Sequence, residues 1–279
     1  SDQPQEILRD VDIAMQYAKK NGRGKHSYFA PEMYRHTIER IALENELHGA
    51  LERNELFVMY QPIFQMNNNT ISGFEALARW NHPQKGIISP TVFIPLAEKT
   101  GMIHNLGMWV LKQASMQMQH WQQLFPSIPP LTLNVNLSVT QFDQENLLDN
   151  IQKILLDSGL PAGSLCLEIT ESAMMGNPDK VRRLLNQLKA LGVQLFIDDF
   201  GAGYSSLSYL QQLPLDGIKI DRSFISNLER SENDRTIVQS IINLAQSLGF
   251  KQTAEGVENE AQLKILRHLD RASLNVIQY

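Results

Sequence analysis

Hydrophobic and polar positions alternate with two different periods along the chain. Residues 6–21 carry apolar side chains at helical spacing, with Lys19 and Lys20 in the last turn and Gly22 as a stop signal. A second helix is predicted from Pro31 to Arg53, with Leu43, Leu47 and Leu51 on one stripe. From Leu56 onward the pattern becomes short apolar or alternating runs separated by amphipathic segments. The runs predict strands at Leu56–Phe64, Ile71–Ala78, Leu131–Ser138, Leu165–Thr170, Val193–Asp198, Gly217–Asp221 and Phe250–Glu255, with a weaker one at Leu274–Tyr279. The segments between predict helices at Pro90–Thr100, His104–Leu124, Gln144–Asp157, Pro178–Leu191, Glu232–Leu248 and Glu258–Leu269. Ser89-Pro90 opens one of these, and Gly159, Gly192 and Gly249 follow three others.

Strands alternating with crossover helices over this length predict an α/β fold, a modified TIM (β/α)8 barrel. Only Gln65–Thr70 separates the first two strands. A parallel crossover needs about a dozen residues, so the first strand is expected to run antiparallel to the second. An open doubly wound sheet is less favoured, because no dinucleotide fingerprint follows the first strand.

Side chains alternate across a strand. In Leu131–Ser138 the odd positions are aliphatic and the even ones are Thr132, Asn134, Asn136 and Ser138. Glu168 opposes Leu167 and Ile169, Asp198 opposes Leu195 and Ile197, and Lys219 and Asp221 oppose Ile218 and Ile220. The aliphatic faces are expected to meet the helices and the polar faces to point inward. Glu75, Asn136, Glu168, Asp198 with Asp199, Lys219 with Asp221, and Glu255 fall at the expected carboxyl ends of six successive strands, the rim where barrels build active sites. One inward acid is an ordinary structural feature; this many around one mouth are costly to desolvate without a cation. The donors are all oxygen, which suits Mg²⁺ or Mn²⁺, with Ca²⁺ as a competitor. Zinc and a histidine-based triad are disfavoured, since no His lies at a strand end. The adjacent Asp198 and Asp199 suit a pair of metal ions, one activating water and the other stabilising a departing oxygen, as in displacement at phosphorus. Lys219 is expected to orient or deprotonate the water, to stabilise developing charge, or simply to pair with the acids. Gly201-Ala-Gly203 reads either as a hinge or as a plain tight turn.

Composition narrows the class. The net charge of −5 gives no sign of a polynucleotide-binding face. The single cysteine, Cys166, excludes an internal disulfide framework and reads as a small core residue. No apolar run approaches a membrane span and no signal peptide is visible, so a reducing, cytoplasmic location is expected, with no membrane contact by this stretch. The opening Ser-Asp-Gln-Pro is read as the start of a fragment.

Seven motifs in order carry a family resemblance. They are Tyr60-Gln-Pro-Ile63, Glu75-Ala-Leu-Ala-Arg-Trp80, Phe93-Ile-Pro-Leu-Ala-Glu98, Asn134-Val-Asn-Leu-Ser138, Glu168-Ile-Thr-Glu171, Asp198-Asp-Phe-Gly-Ala-Gly-Tyr-Ser-Ser206 with Ile218-Lys-Ile-Asp221, and Ala254-Glu-Gly-Val-Glu258. The stretch 43–269 resembles EAL domains, the bacterial phosphodiesterases of cyclic di-GMP. Residues 6–29 look like the end of a GGDEF domain, so the chain is divided into a GGDEF remnant (1–30), a connecting helix (31–53) and an EAL barrel (41–279). The resemblance implies hydrolysis of cyclic di-GMP to linear 5'-pGpG with two Mg²⁺ or Mn²⁺ ions, and inhibition by Ca²⁺. It implies that Glu75, Asn136, Glu168 and Asp198 hold one metal and Asp198 and Asp199 the other, with Lys219 and Glu255 around the water and the metals. Glu171 matches the acid that anchors the rim loop Phe200–Ser206, Arg79 the arginine on a substrate phosphate, and Gln61 and Leu77 substrate-contacting positions. A homodimer through the region around 200–210 is implied as well. Two departures stand out: Ala202 replaces the usual Thr, and the tail Asp270–Tyr279 lacks the family's ending, so the last strand is expected to be truncated or altered. That tail keeps a second reading open, a regulatory module that binds cyclic di-GMP without turning it over. An unrelated metal-dependent barrel enzyme is the third.

Overall fold

The computed structural model of the chain describes residues 4–20, 26, 28–174, 178–201, 210–270 and 274–278. The chain forms two compact units, one of residues 1–56 with 80–100, the other of residues 57–79 with 101–279.

In the smaller unit, helix Pro4–Lys20 and helix Pro31–His48 are followed by helix Pro90–Thr100. The second helix stops five residues before its expected end at Arg53, because Gly49 caps it and turns follow. The buried Trp80 centres this unit. Its indole Nε1 donates to Glu55 Oε2 at 3.0 Å and its ring meets Phe93 edge-on. Arg53 clamps the same carboxylate, and its hydrogen bond holds Glu55 below the usual carboxylate range against the opposing effect of desolvation.

The larger unit is built on the strands β1 (Leu56–Gln65), β2 (Thr70–His82, of which residues up to 79 belong here), β4 (Thr132–Asn136), β5 (Leu165–Thr170), β6 (Gln194–Phe200), β7 (Gly217–Ile220), β8 (Lys251–Val257) and β9 (Leu274–Gln278); β3 (Gly86–Ile88), in the smaller unit, is a short hairpin partner of the end of β2. The order is β1-β9-β8-β7-β6-β5-β4-β2, and a β1–β2 pairing closes the ring into an eight-stranded barrel. β1 runs antiparallel to β9, whereas β2, β4, β5, β6, β7, β8 and β9 run parallel to one another in that succession. The short 66–69 turn therefore enforces the reversed first strand, as the linker length requires.

The alternation in the sequence becomes two environments. Leu133, Leu165, Leu167, Ile169, Leu195, Ile197, Ile218 and Ile220 are all buried, each contributing about 1.5–3 kcal/mol by leaving water. Two expectations are corrected. β2 continues past Ala78 to His82, because its last residues pair with β3 after the parallel ladder to β4 has ended at Ala76. The last strand, expected to be imperfect, is formed as β9. It pairs with β1 at Ile63↔Ile277 and with β8 at Ala254↔Val276, and Val276 and Ile277 are buried. The strand needs only extended backbone and these apolar contacts, which the altered tail retains.

Candidate active site

The inner surface of the barrel converges on one ammonium group. Lys219 on β7 is completely buried. Its Nζ lies 3.2 Å from Glu75 of β2, 2.9 Å from Glu168 of β5, 3.1 Å from Asp198 of β6 and 2.5 Å from Glu255 of β8. Burial alone disfavours its charge, but the surrounding carboxylates, Glu168 first, raise its pKa well above the ordinary lysine value. The converse holds for Glu168, which burial and then Glu75 push well above the usual carboxylate range. Asn136 donates to Glu75 Oε1 at 2.9 Å from the exposed end of β4.

The strand expected to end at Asp198 does not end there. β6 runs on to Phe200, and its register with β7 shifts between Ile197 and Phe200. Asp199 takes up the extra residue with φ of 53°, a left-handed conformation that Asp tolerates better than most side chains. β8 repeats the device: its register with β9 shifts between Ala254 and Val257, where Gly256 has φ of 71°. The bulges aim Asp198, Asp199 and Glu255 so that ligand oxygens of all three lie within 4.8 Å of one another. Burial, then the neighbouring Asp198, pushes Asp199 up to about 6. Burial also lifts Glu255 to about 8, although Lys219 opposes the shift.

This arrangement fits divalent cations. Five acids, Glu75, Glu168, Asp198, Asp199 and Glu255, cluster here, the one lysine pairs with four of them, and Asp198 Oδ1 is buried without a hydrogen bond despite lying near Nζ. An all-oxygen, under-compensated carboxylate group is the donor set that Mg²⁺, Mn²⁺ and Ca²⁺ take.

The remaining expected residues sit around this group. Gln61 on β1 donates to the Gln278 carbonyl at 3.0 Å, and Leu77 is half-buried on β2. The Arg79 guanidinium is half-buried and donates only to the Ala78 carbonyl, with no carboxylate partner among the described residues. Glu171 accepts from Gly201 N–H at 3.3 Å while its buried Oε1 has no partner. The rest of the rim loop, including Ala202, lies outside the described residues. Among the described residues, Asp221 makes no ion pair with Lys219, but its side chain is hydrogen-bonded to Asp199 at the edge of the cluster. It caps the short helix Arg222–Ser226 by accepting from Ser223 N–H, and the bonds to Ser223 hold its pKa low against the larger, opposing effect of burial. Asn134 is the residue that motif reading passed over. It is buried, and its amide donates to Glu168 Oε1 at 2.7 Å. Its inward position two residues before Asn136 was the available signal.

The EAL domain model of known families matches residues 44–273. The chain belongs to the EAL domain family. It is 44% identical over 269 residues to the bifunctional diguanylate cyclase/cyclic di-GMP phosphodiesterase MucR of Pseudomonas aeruginosa, covering 96% of this chain and 39% of that protein. It is 40% identical over 266 residues to the cyclic di-GMP phosphodiesterase NbdA of the same organism, covering 95% of this chain and 34% of NbdA. The chain thus spans well under half the length of these relatives. Among solved structures, the PaMucR phosphodiesterase in complex with c-di-GMP superposes with a TM-score of 0.80 at 45% identity, covering 84% of this chain and 94% of that one. The EAL enzyme Bd1971 with cAMP and cyclic-di-GMP bound gives 0.82 at 31% identity, covering 100% and 72%. In this EAL domain the signature Glu75-Ala-Leu77 lies on β2, where its acid reaches Lys219.

Proposed function

We infer that this EAL domain is a phosphodiesterase that hydrolyses one bond of cyclic di-GMP to give linear 5'-pGpG, using two divalent cations, Mg²⁺ or Mn²⁺. The observation that carries this reading is the under-compensated carboxylate group around Lys219, in a chain whose relatives of known activity are named for this reaction. Bound cations would supply an activated water and stabilise the departing oxygen. Glu75, Asn136, Glu168 and Asp198 would hold one ion, and Asp198 and Asp199 the other, with Glu255 beside both. Ca²⁺ would enter the same oxygen donors with looser geometry and inhibit.

The protein's own groups divide the remaining work. The carboxylates keep Lys219 charged, so it serves as a fixed cation near the reacting phosphate and not as a base. Arg79, free of any carboxylate among the described residues, suits bidentate capture of a phosphate. Gln61 and Leu77 would line the base or sugar, and Glu171 would anchor the loop that follows Gly201. Beyond the site, residues 1–30 fit the end of a GGDEF domain, supported by helix Pro4–Lys20 and by the bifunctional relative. A homodimer through the 200–210 region and a cytoplasmic location complete the proposal; among the described residues no helix is long and apolar enough to cross a membrane.

Chromatographic detection of pGpG from cyclic di-GMP tests the reading, with Mg²⁺, Mn²⁺, Ca²⁺ and EDTA in parallel. Glu75→Ala should lower turnover at least ~10²-fold, since one direct ligand disappears. Tight binding of cyclic di-GMP with no product would replace the enzyme by a receptor. Unchanged turnover in Glu75→Ala would remove that residue from the mechanism.

A further inference from the structure

The opposite mouth of the barrel holds a second cavity that the phosphodiesterase reading leaves unused. Its volume is about 1020 Å³. It is lined by the first residues of the parallel strands, among them Thr132, Gln194 and Lys251, and by Gln65 at the end of the reversed β1. A barrel of this kind ordinarily fills its interior with layers of bulky branched side chains. Here the lowest layer is small or polar. Gly73 stands beside Thr132, Cys166 beside Gln194, and Gly217 beside Lys251 in the strand register. The result is a bowl and not a plug.

The chemistry of the bowl is directional. Among the described residues no Asp or Glu lines it, and Lys251 is its one charged side chain, held at 2.8 Å by Gln194 Oε1. Its other polar groups are hydroxyls and amides, which both donate and accept. Thr253, on the same face of β8 as Lys251, lines the bowl and is 1% exposed. Gln252, one residue before it, lies on the other face of the strand, its amide donating to the Ile242 carbonyl at 3.4 Å. Phe196 and Phe250 add ring faces. Asn134 belongs to the lining too, the residue whose amide supports Glu168 in the layer above.

We propose that this bowl is a second ligand site, for a small anion carrying a hydroxyl-rich ring: a phosphorylated ribose unit, free as a sugar phosphate or as part of a mononucleotide. Lys251 meets the phosphate, and the Thr253 hydroxyl and the amide side chains meet the ring oxygens. The acid-lined catalytic mouth has the opposite preference, and without metal it repels such an anion. The site stands independently of the reaction assigned to that mouth.

Calorimetric titration of the whole chain in EDTA, with ribose 5-phosphate and with AMP, tests this. At least one should bind saturably with a Kd below about 1 mM. Which one binds tells a sugar phosphate from a nucleotide. Lys251→Gln, an exposed substitution that leaves the fold intact, should weaken binding at least about tenfold, the size of one charge-assisted contact. Thr253→Val should weaken it as well, and Arg79→Ala at the other mouth should leave it unchanged. No saturation by either probe up to about 10 mM overturns the proposal, on the same scale. So does equally tight binding of inorganic phosphate, or a loss caused by Arg79→Ala and not by Lys251→Gln.

Discussion

At the scale of single residues, Lys219 carries the argument. One ammonium compensates four carboxylates inside a barrel, and none of the five groups is more than marginally exposed. Breaking a buried ion pair by removing one partner costs about 3–5 kcal/mol, because the other charge is left uncompensated. Lys219→Met should therefore lower the thermal midpoint of the metal-free protein sharply, with the carboxylates taking up protons in response. A divalent cation entering the same carboxylates should offset the loss, so Mg²⁺ or Mn²⁺ should raise the midpoint of the variant more than that of the parent. Calorimetric melts with and without metal measure both. Equal metal-induced shifts in the two proteins would show that Lys219 and the cation do not compete for these oxygens. Asn134 is subordinate: its hydrogen bond fixes the Glu168 carboxylate that Lys219 holds.

At the scale of elements, the strands were largely legible and the bulges were not. Alternation of Leu165, Leu167 and Ile169 with Cys166, Glu168 and Thr170 is enough to say which side chains face inward. The six-residue spacing between the first two strands is enough to reverse one of them. Neither says that Asp198 and Asp199 converge through a register shift. A bulge depends on how β6 meets β7, which is a tertiary matter that a period-two pattern ignores. Nor does it say that Asp221, at the rim beside Asp199, also caps a helix by accepting from Ser223 N–H. The sequence also makes β9 look doubtful, because the motifs of the family are missing while its apolar residues are not. The bulge in β8 gives the sharpest test. Gly256 has φ of 71°, and a Cβ there would lie 2.8 Å from Arg222 Cβ. Gly256→Ala should cost about 1–2 kcal/mol from the left-handed backbone alone, before the clash is counted. It should also cut turnover by swinging the adjacent Glu255 off Lys219. Urea unfolding and the pGpG assay read the two effects, and full activity at reduced stability would mean that Glu255 is not aimed by the bulge.

At the scale of the whole molecule, the chain concentrates acid at one barrel mouth, while no described Asp or Glu lines the cavity at the other, so the metal equilibria belong to the first. Burial lifts Glu255 to about 8 and Asp199 to about 6. Both folded values lie above those of the unfolded chain, so the unfolded chain ionises first as pH rises. The metal-free fold consequently loses stability from about pH 4.5 to pH 8, the reverse of a salt-bridged carboxylate. A divalent cation requires both groups deprotonated and must expel their protons. Metal affinity should then rise with pH, by up to about tenfold per unit between pH 6 and 8 while Glu255 still holds its proton. Mn²⁺ titrations followed by calorimetry in buffers of different ionisation enthalpy would count the protons released directly. The thermal shift produced by metal should widen over the same interval, as the metal-free protein weakens and the loaded one does not. A metal affinity flat across pH 6–8, with no proton release, would mean that the cation avoids Glu255 and Asp199.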